Sequence, residues 1–482
     1  MKNQKNLVAL ICFLLITKCS ANLLEAQDCH YWAQQYGVAS TLMGGAMIGG
    51  VNDNSAIYYN PGALAFINNP SLSIDANVYK FDKIFIRNGA GQGVNLNSAQ
   101  ISIYPQIITG MINLIKSDKF KLSYTMLTRN HNNIKMNSRY TRETIPGIPE
   151  VSGKGFVGAF DYTNQLIEEW FGFGIGYKVN EKLGIGLTLF SSYRGETYQL
   201  TNYVREIKYL DPNYNYINRT NDETIKYNTF RSLVKIGFSY ITSHWKYGVT
   251  ITTPSIGHYG KGSIQRENSY LVVSDNADDM ADNFMIMDQK SNINASYKHP
   301  LSIAGGIDYH SAKTRLAISA EYFFKIKTYH VMDPDATPFV YPPNYLDSAN
   351  VKTLINNYLQ VDNSAKQVLN IGIGLNQTLS KKFSLLLGAS TDFSSFNFSG
   401  GANELIYGFS KQDIYHFSGG ISYHKQKSTF SIGFTYSLSP SQKTTSYADI
   451  IENTEMLTDT RLTSHSYAIV FGYTYYFAKF SE

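Results

Sequence analysis

The sequence predicts an all-β protein, a 14-stranded antiparallel transmembrane β-barrel with an N-terminal plug in its lumen. Three observations carry this expectation. From residue 71 onward, apolar residues alternate with small ones at period two. The links between the apolar runs alternate long and short. The chain of 482 residues holds 37 Tyr against 3 Trp, and its 16% charged residues fall below the ~25% usual in soluble domains.

The chain opens with MKNQKN, then an apolar core from Leu7 to Ile16, then KCSANLLEAQ. This reads as a secretory signal at residues 1–26, cleaved after Ala26, with Ala21 as the second candidate. A lipid anchor on Cys19 fits less well, because Lys18 precedes it. Of the three cysteines, Cys29 remains after cleavage as a free thiol, which excludes a disulfide-stapled secreted domain. Beyond the signal no stretch approaches the ~20 continuous apolar residues of a membrane helix. No basic run suggests nucleic acid as a partner.

Residues 27–70 are irregular, apolar and Gly-rich, and include STLMGGAMIGGVNDNSAIYYNPGALAF. Asn60-Pro61-Gly62 reads as a turn that lets the backbone double back. Such a backbone cannot face lipid, and the lumen of a wide barrel must either be filled or conduct. The segment is therefore expected to start on the tight-turn side and fold into the lumen as a hatch.

Residues 71–482 form the barrel. Alternation places strands at 71–83, 99–113, 119–131, 165–179, 182–196, 229–242, 245–258, 298–310, 313–328, 366–379, 382–396, 412–424, 428–439 and 463–477. WFGFGIGY (170–177) shows the pattern, with Phe171, Phe173, Ile175 and Tyr177 on the lipid face and three glycines on the other. Lumen positions are small and uncharged, with exceptions such as Lys235, Asp308, Glu321 and His416. An ion-selective porin would line its constriction with charge. The lumen glycines serve either sheet curvature or room for a plug or apolar ligand.

Three features stand outside the repeat. Pro105 cannot donate to the ladder; it marks either a gap in the wall or a bend beyond the membrane zone. Phe284, Met285, Ile286 and Met287 follow an acidic run, and are expected as a short helix offering an external apolar ligand patch or as a self-packed loop cluster. HExxH, CxxC, GxSxG and phosphate-loop motifs are missing from the sequence. No enzyme activity, cofactor or metal is expected.

The N-terminal stretch GGAMIGGVNDNSAIYYNPGALAF resembles the FadL/TodX family of outer-membrane transport proteins for hydrophobic compounds. Gly44, Gly45, Gly49, Asp53, Ala56, Asn60, Pro61, Gly62 and Leu64 carry the likeness, with support from WKYGVTITTPS (245–255) and KHPLSIAGGIDY (298–309). Gly62 departs from the alanine common there. The resemblance implies a bacterial outer-membrane barrel with a hatch, passive uptake of long-chain fatty acids or other apolar molecules, and lateral exit through a strand kink. Lipopolysaccharide would seal the direct path, and a monomer is expected. The alternative is a non-transporting barrel of this fold serving a protein secretion or surface-attachment complex.

Overall fold

A computed structural model describes residues 24–25, 29–67, 71–112, 119–142, 154–210, 213–274, 280–343, 351–352, 355–397, 411–444, 450 and 460–477. Most of the expected signal lies outside the described residues, although the backbone of Leu24–Glu25 pairs with Val361 and Asp362. Asn68-Asn69-Pro70, the acidic run at 275–279 and the end of the chain also lie outside them.

Fourteen strands close the barrel. They are β1 (Ser71–Arg87), β2 (Leu96–Ile112), β3 (Phe120–Arg142), β4 (Lys154–Lys178), β5 (Leu183–Leu210), β6 (Asn213–Ile241), β7 (Trp245–Thr252), β8 (Ser302–His310), β9 (Thr314–Phe323), β10 (Val368–Thr378), β11 (Phe383–Asp392), β12 (Ile414–His424), β13 (Ser428–Thr444) and β14 (Thr460–Tyr476). Neighbours run antiparallel, and β14 pairs with β1 to close the ring. The faces divide as the alternation requires: Phe173, Ile373 and Ile432 are exposed outward, while Gly172, Gly174, Gly372 and Ser431 are buried inward.

The tight turns share one device. The residue before each returning strand offers its carbonyl to the end of the next hairpin. Lys182 O accepts from Ile241 N at 2.8 Å, Lys313 O from Thr378 N at 2.8 Å, and Lys382 O from His424 N at 2.8 Å. Lys119, His244 and Lys427 do the same toward Lys178, His310 and Tyr476.

At the long-loop end the strands run further than expected. β4, β5 and β6 cover most of the segments 132–164 and 197–228 read as loops, and Ile256–Ser274 and Phe284–Asn294 extend β7 and β8 through the segment 259–297. Outside a bilayer neither face of a strand needs to be apolar, so the ladder continues after the alternation has faded. Neither the short helix nor the loop cluster expected at Phe284–Met287 forms. These residues sit in a strand, with Phe284 and Ile286 buried in the outer core and Met287 exposed on the opposite face. The expected strand 313–328 ends at Phe323, and Ile326–Met332 leaves the barrel to pair with Val361–Ala365.

Candidate functional site

Residues 29–67 lie inside the barrel, running from the long-loop end toward the tight turns and not starting at the turns as expected. Ser395 donates to the carbonyl of Cys29 at the outer end. The inner end, Pro61–Phe66, is a short 3-10 helix against β4, β5 and β6. Asn60-Pro61-Gly62 is thus the start of a helix, not a free turn. Asn60 Oδ1 accepts from Gly62 N at 3.1 Å, and Pro61 takes the first position, where no amide hydrogen is needed. Just before it, Ala56–Tyr59 forms one helical turn.

Glycine on the wall makes this fit. A methyl group on Gly186 would lie 2.2 Å from the Pro61 carbonyl oxygen, and one on Gly237 2.3 Å from Asn60 Oδ1. On the other side Gly372 and Gly388 receive Gly44, while Gly420 and Gly433 receive Leu42. These glycines allow close approach of the inner segment, its backbone at most of them and the Leu42 side chain at Gly420 and Gly433, which curvature alone would not require. Gly44 adopts φ +61°, and an added Cβ would strike the Ala389 backbone at 2.7 Å. The departure at Gly62 also has a local reason, since a Cβ there would sit 2.7 Å from Gly237 O.

Wall hydroxyls satisfy the irregular backbone. Thr188 donates to Ile57 O at 2.8 Å, Thr250 to Tyr59 O at 2.9 Å and Ser418 to Leu42 O at 3.1 Å. Asn60 Nδ2 bridges Ile48 O and Phe238 O. Among the other residues singled out from the sequence, Asp53 accepts from Ser55 N at 2.9 Å, and Leu64 is buried beside Gly176. Gly45 (φ +73°) packs on Gln35, and Gly49 packs on Gly306 and Asp308.

The lumen is layered. Near the turns an apolar core joins the segment to Trp170, Phe190 and Leu233; near the loops a second core holds Tyr198, Leu200, Ile225 and Ile286. A charged belt separates them. Arg194 bridges Glu168 at 3.0 Å and Glu196 at 3.0 Å, and Arg231 reaches Glu168 at 2.8 Å. Both guanidiniums lie against the Tyr297 ring, at 3.8 and 4.9 Å from its centroid. The belt also grips the segment: Arg129 donates to Tyr31 O at 2.6 Å and Trp32 Nε1 to Glu321 at 2.9 Å. The buried His299 ring packs edge-on against Trp170, with centroids 5.4 Å apart. Lys235 stacks on the Tyr58 ring at 4.2 Å. The sequence singled out Lys235, Asp308, Glu321 and His416 as charged exceptions in the lumen, but not Arg194, Arg231, Glu168 and Glu196 of the belt. Their signal was charge at the inward phase of β4, β5 and β6.

The wall itself is interrupted. Among the described residues, β2 and β3 share rungs only from Ile107–Leu127 to Ile112–Leu122. Above this, β2 continues to pair with β1 and β3 with β4. Pro105 lies where the ladder stops, and the β1–β2 register shifts on both sides of it, between Asp75 and Ala76 and between Asn77 and Lys80. Side chains bridge this window: Tyr104 stacks on His131 at 4.7 Å, and Lys135 N donates to Ser98 Oγ at 3.2 Å. Behind it lies a cavity of about 150 Å³ that meets Lys80, Asp82, Gln100, Asn132 and His416. Ile101 and Ile103 face outward beside it, 69% and 66% exposed.

No sequence-family profile and no curated protein matches the chain. Solved structures do. A FadL homologue from Pseudomonas aeruginosa superposes with a TM-score of 0.57 at 11% identity, covering 93% of this chain and 100% of its own. The toluene transporter TodX of Pseudomonas putida gives 0.57 at 12% identity over 94% and 100%. The toluene transporter TbuX of Ralstonia pickettii gives 0.54 at 11% over 93% and 100%. The chain has the FadL fold. Within that fold, the segment 29–67, the charged belt and the window between β2 and β3 together form the candidate site.

Proposed function

We propose that this protein is a bacterial outer-membrane channel for passive uptake of hydrophobic molecules, with long-chain fatty acids as substrate. The β2–β3 window carries the proposal. Along the barrel axis a passenger meets an apolar core, a charged belt and a second apolar core, whereas at the window the backbone ladder is missing and the outer lip is Ile101 and Ile103. The passenger is captured at the long-loop end, halts at the belt and leaves sideways into the bilayer through the window. The belt cations Arg129 and Arg231, together with Lys235, suit a carboxylate head. Burial of the tail, at ~0.8 kcal/mol per CH₂, drives capture without catalysis or ATP. Residues 27–70 act as the hatch, behind a signal at 1–26, and the barrel works as a monomer. A role in secretion or attachment would leave the window without a purpose.

The test is reconstitution of the full chain in liposomes, with uptake of a labelled long-chain fatty acid, toluene and small ions compared. Fatty-acid uptake without salt conductance is the expected result; salt conductance without fatty-acid binding overturns the proposal. Replacing Pro105 by threonine restores a donor at the ladder's end and should slow uptake. Unchanged uptake would remove the window from the route.

A further inference from the structure

The outer wall at the tight-turn end carries two features that transport does not use. One is the repeated turn position described above, held by Lys119, Lys182, Lys313, Lys382 and Lys427, with His244 in the remaining described turn. These side chains are exposed, and the carbonyl bonds fix their backbones in one ring around the rim. Lys313 and Lys382 make no ion pair among the described residues.

The other feature is a groove of about 840 Å³ on the lipid face, lined by Ile307, Leu316, Ile318, Ile373, Leu387 and Phe417. It is a dent in the wall. At Ala389 the outward side chain is small, and Gly374 and Gly388 behind it draw the strands in toward Met43 and Gly44. Trp245 and Tyr309 border the groove at the turn end, where amphipathic rings sit at the level of lipid headgroups.

The two features are aligned. Lys313 precedes Leu316 by three residues along β9, roughly 10 Å, and Lys382 precedes Leu387 by five along β11, roughly 17 Å. Cations at headgroup level directly above an acyl-sized apolar trough match the layout of a phospholipid bearing net negative charge.

We infer that this face binds an anionic phospholipid of the leaflet it meets, with the phosphate on Lys313 and Lys382 and one acyl chain in the groove. The inference rests on the outer-membrane reading above, which places the tight turns at the inner leaflet. The occupant is a phosphodiester lipid of net charge −1. A zwitterionic lipid fills the groove equally well but gains less from the lysines.

The full chain, purified in detergent, is titrated with phosphatidylglycerol or phosphatidylcholine of identical acyl chains, and retained lipids are counted by native mass spectrometry. Native protein should prefer phosphatidylglycerol, and each of Lys313→Gln and Lys382→Gln should lower that preference by about fivefold at low salt. Ala389→Phe fills the groove and should lower retention of both lipids while leaving the preference. Equal retention of the two lipids by native protein, or a preference unchanged in the double lysine variant, overturns the inference. Orientation is read separately by labelling Ser311→Cys on intact cells with a maleimide that cannot cross membranes. Labelling from outside overturns the leaflet assignment, and protection supports it. If phosphatidylglycerol preference holds while the native chain takes up no fatty acid, the lipid site stands and the transport reading alone falls.

Discussion

Gln34 Nε2 donates to the Tyr104 hydroxyl across 2.6 Å, and the same tyrosine stacks on His131 at 4.7 Å. One side chain thus ties the segment in the lumen to both lips of the window. Tyr104→Phe removes the hydrogen bond and keeps the ring stack. With about 1 kcal/mol lost, the open population should rise about fivefold, read as faster fatty-acid uptake into liposomes. Tyr104→Ala, which also removes the stack, should exceed it. Slower uptake in both variants would assign the tyrosine to holding the passage open.

Gly186 tests the plug. Valine there places its side chain on the Pro61 carbonyl, against which even a methyl group would lie 2.2 Å away. Overpacking of about 1–3 kcal/mol is expected to push Pro61–Phe66 off the wall. Single-channel recordings should then show greater ion conductance than native protein gives, with the strand circular-dichroism spectrum retained.

Arg194 tests the belt. It is fully buried and bridges two glutamates on adjacent strands. Arg194→Ala leaves Glu168 with Arg231 alone and Glu196 without its ion pair, at a cost of about 3–5 kcal/mol. Denaturant unfolding in lipid should show this as a lower midpoint. Arg194→Lys keeps the charge but loses the two-pronged geometry, so it should recover only part of the stability.

His330 provides a pH test outside the membrane. Its Nδ1 lies 2.6 Å from Asp362 Oδ1, and this hydrogen bond raises the imidazole above its ordinary value against a smaller lowering by burial. A group bound more tightly when protonated lends stability that is complete below its unfolded value of about 6.5. That stability is lost as pH rises through the higher folded value. Amide exchange at Tyr329 and Asn363, which pair in the same two strands, should therefore quicken as pH climbs through neutrality beyond the intrinsic base-catalysed trend. His330→Gln should abolish the excess.

The membrane-embedded barrel was readable because lipid forces an alternation that nothing else in the chain imitates. At Phe171–Tyr177 and Leu369–Leu375 the inward and outward faces follow the sequence residue by residue. The ladder's continuation above the bilayer was hidden for the same reason. In Thr197–Ile207 both faces carry polar and aromatic residues, so pairing leaves only a weak periodic trace. Phe284–Met287 misled in the opposite direction, since a cluster of apolar residues split between two faces of a strand looks in one dimension like a patch. Pro105 was visible as a missing donor, but only the rungs of its neighbours place it at the limit of the β2–β3 ladder. The belt needed three dimensions, because Glu168, Arg194 and Arg231 lie on three different strands.

The unlaced stretch between β2 and β3 has a mechanical meaning as well. The seams on either side of it stay stitched through the same height, so the cylinder has a compliant line here where it can part. The girth of what passes is then set by how far two strands spread, and the barrel need not change its circumference. A cargo too rigid to slip through that slit is refused even when its chemistry suits the interior.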